Sequence, residues 1–155
     1  MLAVSNSSPL IALAAIDQLD VLPALFQSVL IPLAVAEEIA PSIPTHPSWL
    51  QTRRLTGSRP AVVVRRTLGA GETEALALAL EVRPDRLILD DLAARRMAEG
   101  LGLPIIGTLG VLLAAKRRGL VPSIRPVLDR LVSESFFIGA DLFQELLQSA
   151  GEVER

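Results

Sequence analysis

Leu87-Ile88-Leu89-Asp90-Asp91-Leu92-Ala93-Ala94-Arg95-Arg96 runs from three branched apolar residues through two acids into a helix-forming stretch. The apolar run does not alternate with polar residues, which is the pattern of a strand covered on both faces. Asp90 and Asp91 stand at the junction, and Leu92 to Gly100 reads as the following helix. The same grammar recurs along the chain. Leu2 to Ser5, Val29 to Ile31, Ala61 to Val64 and Leu103 to Ile106 are short and nearly all apolar. Between them lie helical segments at Pro9 to Ile16, Val21 to Phe26, Leu33 to Ala40, Glu72 to Leu80 and Leu109 to Arg118. Ser8 opens the first of these with proline at the first helical position, and Pro32 precedes the third. Strands alternating with helices predict an α/β fold with a parallel, doubly wound sheet. Two amphipathic stretches follow Pro122, at Ile124 to Val132 and Ala140 to Leu147, and are expected as helices on the outside. The stretch from Pro41 to Pro60, with four prolines, is the least regular and is expected to cross the surface.

Composition narrows the chemistry. A chain of 155 residues, 50% of them apolar, suits one domain with a substantial core, expected over residues 1–150 with a C-terminal tail at 151–155. Fifteen Lys and Arg against 17 Asp and Glu give no global basic field, so net charge neither favours nor excludes a polynucleotide. All the basic residues except Lys116 are arginine, whose planar fork binds phosphate in bidentate fashion. The chain has no cysteine and a single histidine, His46, so thiolate zinc sites and disulfides are excluded and a metal would have to sit on oxygen. Pro9 to Ile16 and Val29 to Ala36 fall short of the roughly 20 residues a bilayer helix needs, and the N-terminus lacks the basic flank of a signal peptide. A cytoplasmic protein is expected.

In an open α/β sheet, ligands bind outside the carboxyl ends of the strands. Asn6, Asp90, Asp91 and Thr108 all fall at such ends, and Glu72 opens a helix whose Ala75, Leu76 and Ala79 share its face. Each also has an ordinary reading. Asp90 or Asp91 alone serves as a helix cap, Glu72 and Glu74 as first-turn acids, Glu37 and Glu38 as a solvated face, and Asn6 and Thr108 as turn or cap residues. Taken together, acids at several ends of one sheet point to a shared oxygen-lined pocket for a hard divalent cation.

Val4-Ser5-Asn6-Ser7-Ser8-Pro9-Leu10-Ile11, Pro32 to Ile39, Gly71-Glu72-Thr73-Glu74-Ala75, Leu89-Asp90-Asp91 with Ala94-Arg95-Arg96, and Gly102-Leu103-Pro104-Ile105-Ile106-Gly107-Thr108-Leu109-Gly110 together resemble PIN-domain proteins. The likeness spans almost the whole chain and lies nearest a prokaryotic branch related to VapC-type toxins. It implies a three-layer α/β/α domain with a central parallel sheet of four to five strands. It also implies a metal-dependent ribonuclease site holding Mg2+ or Mn2+, with Asn6, Glu38, Glu72, Asp90 and Asp91 as metal ligands and the four acids as catalytic residues. Ser8, Arg95, Arg96 and Thr108 stand where they could contact substrate or support the ligands, and Arg53, Arg54 and Arg59 form a second arginine group. The wider family usually carries aspartate where this chain has Asn6, and an amide oxygen ligates magnesium without contributing charge. The implied partners are an RNA substrate and a small antitoxin, and the high apolar fraction suggests a homodimer. A PIN-like module that binds without cleaving is the alternative. Two other classes fail on the residues. Gly69-Ala70-Gly71 would start a dinucleotide fingerprint, but Glu74 occupies its third glycine position. A phosphoacceptor domain would need a strand-end lysine and an acidic pair after the first strand, and Lys116 lies deep in a helix.

Overall fold

The computed structural model of the chain describes residues 1–57 and 68–152. The strand expected over Ala61 to Val64, Arg59 and the last three residues lie outside the described residues. Five strands, β1 (Leu2–Ser5), β2 (Ser28–Ile31), β3 (Leu50–Thr52), β4 (Arg86–Ile88) and β5 (Ile105–Ile106), form one parallel sheet in the order β3-β2-β1-β4-β5. The helices are α1 (Ser7–Ala15), α2 (Val21–Leu25), α3 (Leu33–Ile39), α4 (Ala70–Val82), α5 (Leu92–Gly100), α6 (Thr108–Arg117), α7 (Arg125–Ser133) and α8 (Ala140–Ser149).

Continuous apolarity in the strands has the expected cause. Ala3, Val29, Ile31 and Ile88 enter a core built with α1, α2, α3, α6, α7 and α8. Their neighbours Val4, Leu30, Leu87 and Leu89 enter a second core with α4 and α5 on the other face. The sheet is the middle of three layers. Residues after Pro122 are integral to the first core, because Val127, Leu128, Leu131, Leu146 and Leu147 are all buried in it.

The edge strand β3 stands within the stretch expected to be irregular. Only Leu50 of its three residues is buried, so it carries no legible strand pattern; pairing Leu30 with Gln51 and Ile31 with Thr52 makes it a strand. Its shortness is how sheet edges are ordinarily protected. The first helix opens earlier than expected, at Ser7, with Asn6 in extended backbone as its N-cap, so Pro9 is the third helical residue. At the end of α5, Gly102 at φ 73° supplies the left-handed turn that leads into β5.

Topology places the site. The chain lays down β1, moves outward through β2 to β3, then returns to set β4 against the other side of β1 before continuing to β5. The order reverses between β1 and β4, and such a switch point opens a crevice at the carboxyl ends of the strands. Val4 pairs with Leu87 and Ser5 with Ile88, so Asn6 and the Leu89-Asp90 step leave the sheet side by side, and the Asn6 amide donates to the Ile88 carbonyl at 3.0 Å.

Candidate active site at the carboxyl edge of the sheet

Asn6 is 1% exposed, and its side chain makes no bond to the α1 amides it would ordinarily cap. Among the described residues its Oδ1 is the buried side-chain polar atom that lacks a hydrogen-bond partner. Leaving an amide oxygen buried without a donor costs about 1–3 kcal/mol, so this residue is not explained as a helix cap.

Beside it, the Ser7 hydroxyl donates to Oε2 of Glu38 at 2.6 Å, joining the start of α1 to the last turn of α3. The Glu38 carboxylate also rests against the first turn of α4. A Cβ added at Gly71 would lie 2.5 Å from Glu38 Oε1 and 2.9 Å from Oε2. A glycine is needed there for two helices to approach around a carboxylate, and the positive end of α4 favours the charge it receives. Glu72, the next residue, curls back over its own helix start, with Oε2 only 2.6 Å from where a Gly69 Cβ would stand. Glu74 accepts from the Ala34 amide at 3.2 Å and so braces α4 against the start of α3.

Across the switch point, both oxygens of Asp90 are engaged by one residue. The Thr108 amide donates to Oδ1 at 2.8 Å and the Thr108 hydroxyl to Oδ2, so Asp90 anchors the start of α6 and ties β4 to β5. Gly107 lies flush against this pair, because a Cβ there would meet Arg95 Nη1 at 2.6 Å and Asp90 Oδ1 at 2.9 Å. Arg95 donates to the Leu89 carbonyl at 3.4 Å and is half-buried. Asp91 caps α5, its Oδ2 accepting from the Ala94 amide at 2.9 Å.

Asn6, Glu38, Glu72 and the adjacent Asp90 and Asp91 thus come from four stretches of the chain that approach one edge of the sheet. They are held in local groupings: Ser7, Glu38 and Gly71 on one side, Asp90, Thr108, Gly107 and Arg95 on the other, with Asp91 at its helix. Among the described residues no group of three or more Asp, Glu or His forms a ready metal cluster. Arg96 is exposed on α5, and Arg53 and Arg54 are exposed beyond β3. Ser8 is exposed and lines a separate cleft with Ile11, Leu131 and Phe136. The serine that reaches an acid is therefore Ser7, which the sequence reading passed over. Helical phase could have found it, since Ser7 shares a face with Leu10 and Ala14.

The donor set fits a hard cation in kind. It is all oxygen, it includes an orphaned amide oxygen, and the bonds to Ser7 and Ala94 occupy only part of the lone-pair capacity of Glu38 and Asp91.

A family model described as PIN domain, DUF3368, matches residues 2–152, and the chain belongs to that family. PIN domains are typically nucleases and often bind Mg2+. No curated protein matches the chain. Among solved structures, a PilT N-terminus domain protein, SSO1118, from the hyperthermophilic archaeon Sulfolobus solfataricus P2 is similar, with a TM-score of 0.56 and 19% identity. The match covers 74% of this chain and 93% of that one, and at this identity it is a likeness of fold. Among the described residues no helix is long and apolar enough to cross a membrane.

Proposed function

We propose that this PIN domain is a metal-dependent endoribonuclease, acting as the toxin of a toxin–antitoxin pair. The observation that carries the catalytic reading is the buried, unpartnered Oδ1 of Asn6 at the switch point, because a bound cation would satisfy an oxygen that the fold leaves without a donor. Asn6, Glu38, Glu72 and Asp91 would hold Mg2+ or Mn2+, with Asp90 either joining them or orienting its neighbours. Such an ion, when bound, lowers the pKa of water and offsets charge on a phosphoryl oxygen.

The remaining work falls to the chain's own groups. Ser7 fixes the Glu38 carboxylate by its hydrogen bond, and Gly71 lets that carboxylate sit against α4. Thr108 holds both Asp90 oxygens, which keeps the ends of β4 and β5 in register. Arg95 supplies a cation beside Asp90, suited to a phosphate of the substrate backbone, a contact that positions the strand without reading its sequence.

Incubation of purified protein with a mixed RNA pool tests the reading. Cleavage is expected with manganese, and none with EDTA or with Glu72→Gln. Equal digestion in all three conditions excludes the assigned site. Metal-independent RNA binding with no cleavage in any condition favours the non-cleaving module, which the neutral Asn6 keeps in view. Growth arrest on induction of the wild type, absent for Glu72→Gln and relieved by a small protein encoded next to it, is the expected mark of a toxin and its antitoxin.

A further inference from the structure

The nuclease reading leaves one cleft without a task. It has a volume of about 530 Å3, within the range of ligand sites, and opens between β5, the start of α6 and the loop joining α7 to α8. Asp90 and Arg95 are part of its lining, so the cleft adjoins the acidic edge. Gly107 and Gly110 leave part of its wall without side chains. Two aromatic residues, Phe136 and Phe137, also line it. Phe136 packs partly on the core, whereas Phe137 is 89% exposed, far more than the other large apolar residues of the described chain.

The loop that presents these rings is defined. Ser135 takes a left-handed conformation at φ 69°, the Phe136 amide donates to the Leu131 carbonyl at 3.0 Å, and the Ser135 amide donates to Val132 at 3.1 Å. This pair of bonds closes α7 and sets the direction in which Phe136 and Phe137 leave it. A ring this exposed contributes little to folding. Its position makes chemical sense if something flat and apolar lies against it.

We propose that the cleft receives an unpaired nucleobase of single-stranded RNA, stacked on Phe137, while an adjoining phosphate meets Arg95 and the backbone continues over the acidic edge. Three features select this occupant. A cation and an exposed aromatic ring lining one cleft match the alternating phosphate and base of a polynucleotide. The cleft shares Asp90 with the candidate active site, so a strand bound there leads into it. Stacking also requires a base that is free of its duplex, which assigns the substrate to single strands, loops or ends. Because every base has a π-face, the contact tolerates sequence and contributes affinity more than selectivity. The identity of the ligand rests on the nuclease reading, but its recognition is testable without turnover.

The test uses fluorescence anisotropy of a labelled single-stranded RNA and of its duplex, in EDTA, on Glu72→Gln protein so that cleavage cannot intervene. The single strand is expected to bind more tightly than the duplex. Adding Phe137→Ala is expected to weaken single-strand binding by about tenfold and to leave duplex binding unchanged, while Phe137→Trp restores it. Arg95→Ala is expected to weaken both and to flatten the salt dependence. An unchanged melting temperature for Phe137→Ala shows that the fold is intact. Single-strand affinity that is indifferent to Phe137→Ala, or absent from the parent protein, overturns the inference. So does a Phe137→Ala protein that binds RNA normally but falls from dimer to monomer in light scattering, since the cleft is then a contact between copies. A separate manganese cleavage assay on wild-type protein reports on the nuclease reading, so the two ideas fail by different results.

Discussion

Asn6 concentrates the chemistry at the level of single residues. Its amide oxygen is a neutral donor among carboxylates, and Asn6→Asp adds a charge where a cation is proposed to bind. Asn6→Asp is expected to tighten Mn2+ binding by at least about tenfold in calorimetry, and to lower stability without metal, because an unpaired buried carboxylate costs more than an amide. Unchanged metal affinity would remove Asn6 from the ligand set. Gly71 offers a test with opposing terms. Alanine within a helix is favoured over glycine by up to about 1 kcal/mol, but its Cβ would stand 2.5 Å from Glu38 Oε1. The obstructing atom is the end of a flexible side chain, so Glu38 is expected to swing away and release Ser7. Gly71→Ala should therefore melt at or near the wild-type temperature while metal-dependent cleavage falls by about tenfold or more, a separation that a merely structural glycine does not give.

Among the elements, the starts of α5 and α6 show how one sequence feature can serve two purposes. Asp90 and Asp91 were legible as acids after a strand, and each proves to bind a helix start, Asp91 at Ala94 and Asp90 at Thr108. Spacing along the chain shows the first of these bonds, since Asp91 stands three residues before Ala94. It hides the second, because Thr108 is 18 residues from Asp90 and meets it only through the pairing of β4 with β5. Thr108 is fully buried, and Thr108→Val keeps its shape while removing the hydroxyl that reaches Asp90 Oδ2. A loss of about 1–2 kcal/mol in urea unfolding is expected, with the amide bond to Oδ1 retained. No loss would mean that the hydroxyl bond adds nothing to the anchoring of α6. The limits of sequence reading follow the same logic. Continuous apolarity revealed strands buried on two faces, whereas β3, with one buried residue, owes its existence to β2. The Ser7 to Glu38 bond joins two helices that only the sheet brings together.

For the molecule as a whole, Glu152 gathers the C-terminal helices onto the core. Its carboxylate accepts from the Ser123 hydroxyl and from the amides of Ile124 and Arg125, and it lies 3.4 Å from Lys116. Burial opposes its ionisation, but these donors outweigh that cost, led by the Ile124 amide, and hold its pKa down to about 2 from 4.5. A depressed folded-state pKa contributes stability above pH 4.5 that is lost as the pH falls through about 2. Glu152→Gln is expected to cost on the order of 2 kcal/mol at pH 7, with the gap from wild type closing across that acid range in urea titrations. A gap that stays constant with pH would show that charge is not the source. The reversed strand order has a further consequence for how such a fold is made. β1 leaves the ribosome first, yet one of its two neighbours in the sheet is β4, and Val4 must wait for Leu87 to be synthesised. On the proposed nuclease reading, the nascent chain is thus expected to spare the messenger that encodes it at least until Leu87 has emerged to close the β1–β4 edge.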